Sequence, residues 1–238
     1  KDQAAMFSSV TDWNAQINQV EAIPDHFVEA FQRFSSKRPR PIELELPTDL
    51  LSQEADVELL PPVTPEIPKG SEAQIEQAGE LLLKSKRPVI FLGEEVQMLG
   101  GYSEIINFAE KHNIPVVTGD GAKGTFPENH ELSLGQAIGK RIWGENPLLD
   151  WLGTCDVGLV LGASLPYRST KGIGLQMPSK LIHVLMDEDI INKNYDSEVA
   201  IVGNSELVLQ QIQTYIGDRN IDIVTQYKSE ISNLKNQI

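Results

Sequence analysis

Asp156-Val-Gly-Leu-Val-Leu-Gly-Ala-Ser164 sets the architecture of everything around it. Val157, Leu159, Val160 and Leu161 are apolar with almost no alternation, the composition of a strand covered on both faces, as in a parallel sheet. Gly162 follows, a residue that lets the backbone turn sharply where the strand ends. In open α/β sheets ligands collect at that carboxyl end, at the point where the strand order reverses. Other strand-like runs lie on both sides, which makes this one the predicted middle of the fold.

Downstream, residues 181–186 read as one strand and 199–202 as another, after which Ser205 is the expected cap of a helix turning Val208, Ile212 and Tyr215 inward. Upstream, Pro88 to Leu92 is a strand ending at Gly93, and Glu94-Glu95 reads as an exposed, solvated loop tip. Tyr102, Ile105, Ile106 and Ala109 mark a helix that stops near Asn113, and residues 114–118 form a second strand closed by Gly119-Asp120-Gly121. A loop-rich region with a helical patch at 147–151 leads into the central strand. Before all of these, Ser71 with Gln74 makes a capping box for a helix whose buried stripe is Ile75, Ala78, Gly79 and Leu82. This alternation predicts an α/β, doubly wound parallel sheet of five to six strands with right-handed crossovers.

The flanks are less regular. Residues 1–20 show no clean period. Phe27, Ala30, Phe31 and Phe34 fall on one face of a helix started by Pro24-Asp25, and Ile42, Leu44 and Leu46 alternate with Glu43 and Glu45 as a half-buried strand. That pair is too small to stand alone and reads as the end of a preceding domain, residues 1–52. Residues 53–70, with Pro61, Pro62, Pro65 and Pro68, form an extended linker. The central domain is then 71–217. Tyr227, Ile231, Leu234 and Ile238 trace a weak stripe along an exit helix in 218–238.

The 238 residues carry a formal charge of −14, with 34 acidic against 20 basic side chains. That balance argues against a phosphate backbone or an anionic membrane as partner, since both need basic stripes. A single cysteine, Cys155, cannot form an intrachain disulfide and lacks a basic sequence neighbour, so it reads as a small apolar filler. No run is long enough to span a bilayer and no signal peptide opens the chain, which makes the cytoplasm the default. The first residue is Lys1, and the chain reads as a fragment.

In order, these residues resemble the middle third of thiamine-diphosphate enzymes of the acetolactate synthase and 2-oxoacid decarboxylase superfamily. The resemblance covers nearly the whole chain. Val10-Thr11-Asp12-Trp13, Ala30-Phe31, Arg38-Pro39 and Pro41-Ile-Glu-Leu-Glu-Leu-Pro47 look like the end of its N-terminal pyrimidine-binding domain. Arg87-Pro88-Val-Ile-Phe-Leu-Gly93, Lys123-Gly124-Thr125-Phe126-Pro127-Glu128, Leu161-Gly162-Ala163-Ser164-Leu165 and His183-Val-Leu-Met-Asp187 look like its central Rossmann-like domain. The resemblance implies a parent enzyme that uses thiamine diphosphate and Mg2+ to cleave or join carbon–carbon bonds beside a carbonyl, as a homodimer or homotetramer. The family's activating glutamate lies upstream of this part and its metal motif downstream, so the chain by itself is expected to be catalytically silent, with its partners the remaining catalytic domains of the same polypeptide. Gly119-Asp120-Gly121 spells the opening of that metal motif, but no Asn pair follows about thirty residues on to complete the oxygen ligands. It reads as a glycine turn with a solvated Asp.

Relatives hold FAD or ADP in this domain, and some hold nothing. Gly93, Thr118, Gly121, Gly162, Ala163, Arg168 and Asp187 are the residues placed to cradle a nucleotide, with Lys171 a second cation for phosphates and Asp187 an acceptor for a ribose hydroxyl. Several departures count against a flavin. Gly93-Glu94-Glu95 stands where flavin-binding relatives have three glycines, and each carboxylate would repel a pyrophosphate by about 3 kcal/mol at about 5 Å and an effective dielectric near 20. Arg168 at an exposed rim returns at most about 1 kcal/mol. Ser164 replaces the family's arginine, Leu185 one of its aspartates, and no G-x-G-x-x-G follows any strand, which argues against NAD. An empty scaffold is the favoured reading. The alternatives are a stand-alone nucleotide-binding regulatory module and a dehydrogenase domain. His183 reads as a core histidine, His26, His112 and His130 have no paired nucleophile, and Trp143 and Trp151 read as core cover.

Overall fold

The structure is a computed structural model that describes residues 2–61, 64–137 and 146–237. Pro62, Trp143 and Ile238, singled out above, lie outside the described residues. The chain divides into two compact units, one ending at Ile67 and one beginning at Pro68.

In the first unit a short helix, α1 (Gln3–Phe7), is capped by the Asp2 carboxylate on Ala5 N–H. Strand β1 (Trp13–Gln16) then pairs in parallel with β2 (Ile42–Glu45), and helix α2 (Ile23–Ser36) connects them. β1 is one strand the sequence did not announce: Trp-Asn-Ala-Gln has no alternation, and its register with Ile42 to Glu45 comes from pairing. The aromatic stripe of α2 differs from expectation too. Ala30 is buried, but Phe27 is 43% and Phe31 65% exposed. Only the helix period was legible, since the stripe names a face without naming what covers it.

The second unit opens with α3 (Glu72–Leu83), whose Ser71–Gln74 capping box is formed as expected. Next come β3 (Pro88–Leu92), a short helix α4 (Glu94–Leu99), α5 (Tyr102–His112), β4 (Val116–Thr118) and β5 (Ser133–Gln136). They are followed by α6 (Pro147–Leu152), β6 (Val157–Leu161), β7 (Lys180–Leu185), β8 (Val199–Val202), α7 (Ser205–Ile216) and α8 (Thr225–Lys235). Among the described residues, six strands make one sheet in the order β5-β4-β3-β6-β7-β8, every pair parallel. The chain builds outward from β3 to one edge, returns, and builds from β6 to the other. The order therefore reverses between β3 and β6.

Alternate residues of each strand serve two cores, which is why the runs look uniformly apolar. Ile90, Leu92, Val157, Leu159 and Leu161 face the layer of α3, α5 and α7, while Val89, Phe91 and Val160 face α6 and α8. Each fully buried branched side chain contributes about 1.5–3 kcal/mol relative to exposure. The stripe of α8 is buried with them: Tyr227, Ile231 and Leu234 are all below 7% exposed. α5 stops where expected, with Asn113 left-handed at φ 53°. The cap of α7 is Asn204, whose side chain accepts from Glu206 and Leu207 N–H, and Ser205 is the first helical residue. Both residue types cap well, and the sequence alone did not separate neighbours.

Candidate functional site

The crevice at the reversal lies at the carboxyl ends of β3, β4 and β6. Its volume is about 270 Å³, with Phe91, Gly93, Glu94, Gly121, Ala163 and Ser164 among its lining. β3 delivers Gly93 and β6 delivers Gly162-Ala163, and the two exits touch. A Cβ on Gly93 would stand 2.1 Å from Ala163 Cα. Gly162 has φ 65°, and a Cβ there would meet Glu95 Cβ and Val96 N at 2.9 Å. These glycines are required by the approach of one part of the chain to another.

Of the residues placed to cradle a nucleotide, the structure brings Gly93, Gly121 and Ala163 to the crevice wall. Thr118 is buried, donating its hydroxyl to Gly135 O at 3.2 Å, which pins the edge strand β5. Gly162 lies beneath, its N–H on Val184 O and its carbonyl accepting Glu95 N–H. Arg168 is exposed on a 3-10 turn, Tyr167–Ser169. Asp187 is buried beyond β7, accepting Asp189 N–H through Oδ1. Lys171 turns to the neighbouring loop, donating to Asn194 O at 2.7 Å over the ring of Tyr195. Asp120 is exposed on a turn in which Ala122 N–H reaches Gly119 O.

Glu94 and Glu95 correct the reading of a solvated tip. They form the first turn of α4, a helix start that favours carboxylates. Glu95 is 1% exposed, and its Oε2 accepts from Met186 N–H at 3.0 Å. Glu94 Oε1 accepts from Ser164 Oγ at 2.5 Å. A six-residue helix with one buried apolar position, Val96, has no period to read.

The other candidates serve the core. His183 is 2% exposed and bonds Ala163 O at 2.7 Å through Nε2, while its buried Nδ1 finds no hydrogen-bond partner among the described residues. Burial pushes its pKa below the ordinary value, against the bond to Ala163 O, so it sits as neutral imidazole. His112 meets Gln213, His130 meets Glu110, and His26 meets Ala22 O. Cys155 does have a basic neighbour in space, Arg87, but burial dominates and pushes the thiol up to about 12. Its Sγ lies 3.4 Å from Tyr227 OH, and Trp151 stacks on the same ring at 5.7 Å. Among the described residues no three His, Cys, Asp or Glu side chains gather to hold a metal ion, and no helix is long and apolar enough to cross a membrane.

An all-parallel α/β sheet with its strand order reversing at a shallow crevice defines a Rossmann-like domain. The chain belongs to the thiamine pyrophosphate enzymes, whose central domain matches residues 75–212, more than half of its length. Its sequence is 34% identical over 219 residues to a probable acetolactate synthase large subunit of Methanocaldococcus jannaschii, covering 89% of this chain and 36% of that protein. It is 32% identical to the acetolactate synthase large subunit of Corynebacterium glutamicum, covering 85% of this chain and 33% of that protein. It is also 32% identical to a probable sulfoacetaldehyde acetyltransferase of Rhizobium meliloti, covering 89% and 36%. The chain thus spans about a third of the length of these relatives. None of the three names describes a dehydrogenase or a regulatory module.

Proposed function

We propose that this chain is the spacing domain of a thiamine-diphosphate enzyme of the acetolactate synthase type, one that decarboxylates or joins 2-oxo acids or their CoA analogues. The observation that carries this reading is the 34% identity across 89% of the chain to a probable acetolactate synthase large subunit. Thiamine diphosphate supplies an ylid that stabilises a carbanion. In this reading it and Mg2+ are held by other parts of the polypeptide. The work of this chain is positional: a sheet with both faces covered holds the flanking catalytic domains at fixed separation, within a cytoplasmic homodimer or homotetramer. The 238 residues alone are then inactive.

The test is to assay the full polypeptide and the 238-residue chain in parallel with thiamine diphosphate, Mg2+ and pyruvate, following carbon dioxide release and acetolactate. Sulfoacetaldehyde forms a separate arm, given the acetyltransferase relative. Turnover by the full polypeptide and none by the chain alone is expected. Turnover by the chain alone, or none by the full polypeptide with any 2-oxo acid, refutes the reading.

A further inference from the structure

The exits of β3, β6 and β7 are joined by carboxylates. Glu95 reaches from the first turn of α4 to Met186 N–H, one residue past β7, at 3.0 Å. Its own N–H donates to Gly162 O, past the end of β6, at 2.9 Å. Glu94 crosses to Ser164 Oγ at 2.5 Å. Gly93 and Ala163 close the gap below, where not even a methyl group fits.

Dinucleotide-binding sheets place a pyrophosphate at this location, on the helix start that follows the first strand. The residues here do not fit that group. The first turn carries its own two carboxylates, and the glycines are occupied by chain-to-chain packing.

We propose that Glu94 and Glu95 form an internal carboxyl brace that locks three strand exits together and excludes nucleoside diphosphates and flavin dinucleotides from the crevice. The brace holds the switch point closed without a ligand. A phosphate brought beside either carboxylate would lose affinity by a factor on the order of 100.

Two measurements on the full polypeptide test this. The first is the visible spectrum of the purified protein, with calorimetric titration by FAD and by ADP. No flavin band and no saturable heat up to about 1 mM are expected, and saturable micromolar binding of either ligand overturns the proposal. The second compares the melting of Glu95→Gln and Glu95→Ala. Glu95→Gln keeps an oxygen for Met186 N–H and should melt within a few degrees of the parent, whereas Glu95→Ala should fall by about 4 °C or more. A Glu95→Ala protein that melts with the parent overturns the brace, and if that variant does not fold, the titrations and Glu95→Gln decide. Catalytic turnover is scored separately, so loss of this inference leaves the proposed reaction standing.

Discussion

Replacing Asp156 by Ala removes the acceptor that starts the central strand. Its carboxylate takes Ser85 Oγ at 2.5 Å, Lys86 N–H at 2.7 Å and Arg87 N–H at 3.0 Å, tying the turn after α3 to the residue that leads into β6. Burial pushes its pKa up, yet the hydrogen bonds from Ser85 and from the backbone of Lys86, Arg87 and Val157 outweigh that and hold it below its ordinary value. The three donors are not equivalent. Ser85 is 2% exposed, so its hydroxyl cannot turn to water, and the Arg87 bond is partly buried, whereas Lys86 N–H is exposed. Two protected bonds to a charged acceptor at about 1.5 kcal/mol each give about 3 kcal/mol for Asp156→Ala. Asp156→Asn keeps one oxygen and should cost about half as much. Because the folded pKa is depressed, the contribution is fully present above the unfolded value of about 3.9 and disappears as pH falls through the folded value. Urea unfolding of parent and variants at pH 7, repeated in steps to about pH 3, measures both effects. An Asp156→Ala protein within about 0.5 kcal/mol of the parent at pH 7 refutes the reasoning, as does a gap that widens under acid.

Gly93→Ala should destabilise by about 2 kcal/mol or more, because the new methyl meets Ala163 Cα at 2.1 Å and Gly162 O at 2.4 Å, with no flexible side-chain end to yield. Gly124→Ala meets nothing within 4 Å and pays only for its φ of 85°, so thermal melting should rank it clearly above Gly93→Ala, and the reverse order sinks the packing argument. Cys155, with its thiol pushed up to about 12 by burial, should resist iodoacetamide at about pH 8 in the folded protein and react once unfolded in urea. Rapid labelling of the native protein, followed by mass spectrometry, is the contrary result.

Most of the sheet was legible because its strands other than β5 carry their own explanation. Pro88–Leu92 and Val199–Val202 begin and end where the sequence put them: β3 is buried at all its positions, as an inner parallel strand demands, and the edge strand β8 buries Val199 and Ile201 while Ala200 and Val202 stay half-buried. β5 was not legible: Ser-Leu-Gly-Gln at the sheet edge buries Ser133 and Leu134 and owes its pairing to Thr118 and to the register shift beside it. α8 shows the same limit from the other side. Its stripe of Tyr227, Ile231 and Leu234 was visible, but its part in the core depends on Tyr227 OH reaching Pro88 O at 2.8 Å and on Arg87 lying over the ring. Those partners are distant in sequence, and no local period reports them.

The crevice separates composition from geometry most sharply. Gly93-Glu94-Glu95 already told against a flavin in the sequence, because two carboxylates beside a pyrophosphate repel it. A solvated pair could swing away from an arriving phosphate, and screening would erase most of that cost. The structure removes this escape for Glu95, which is buried with Met186 N–H and cannot leave without stranding a buried backbone donor. Exclusion at this site thus rests on where the amides of β7's exit point, a property of the assembled sheet. Two enzymes with the same glutamate pair but a shifted β7 would differ in whether the pair is a rim or a brace.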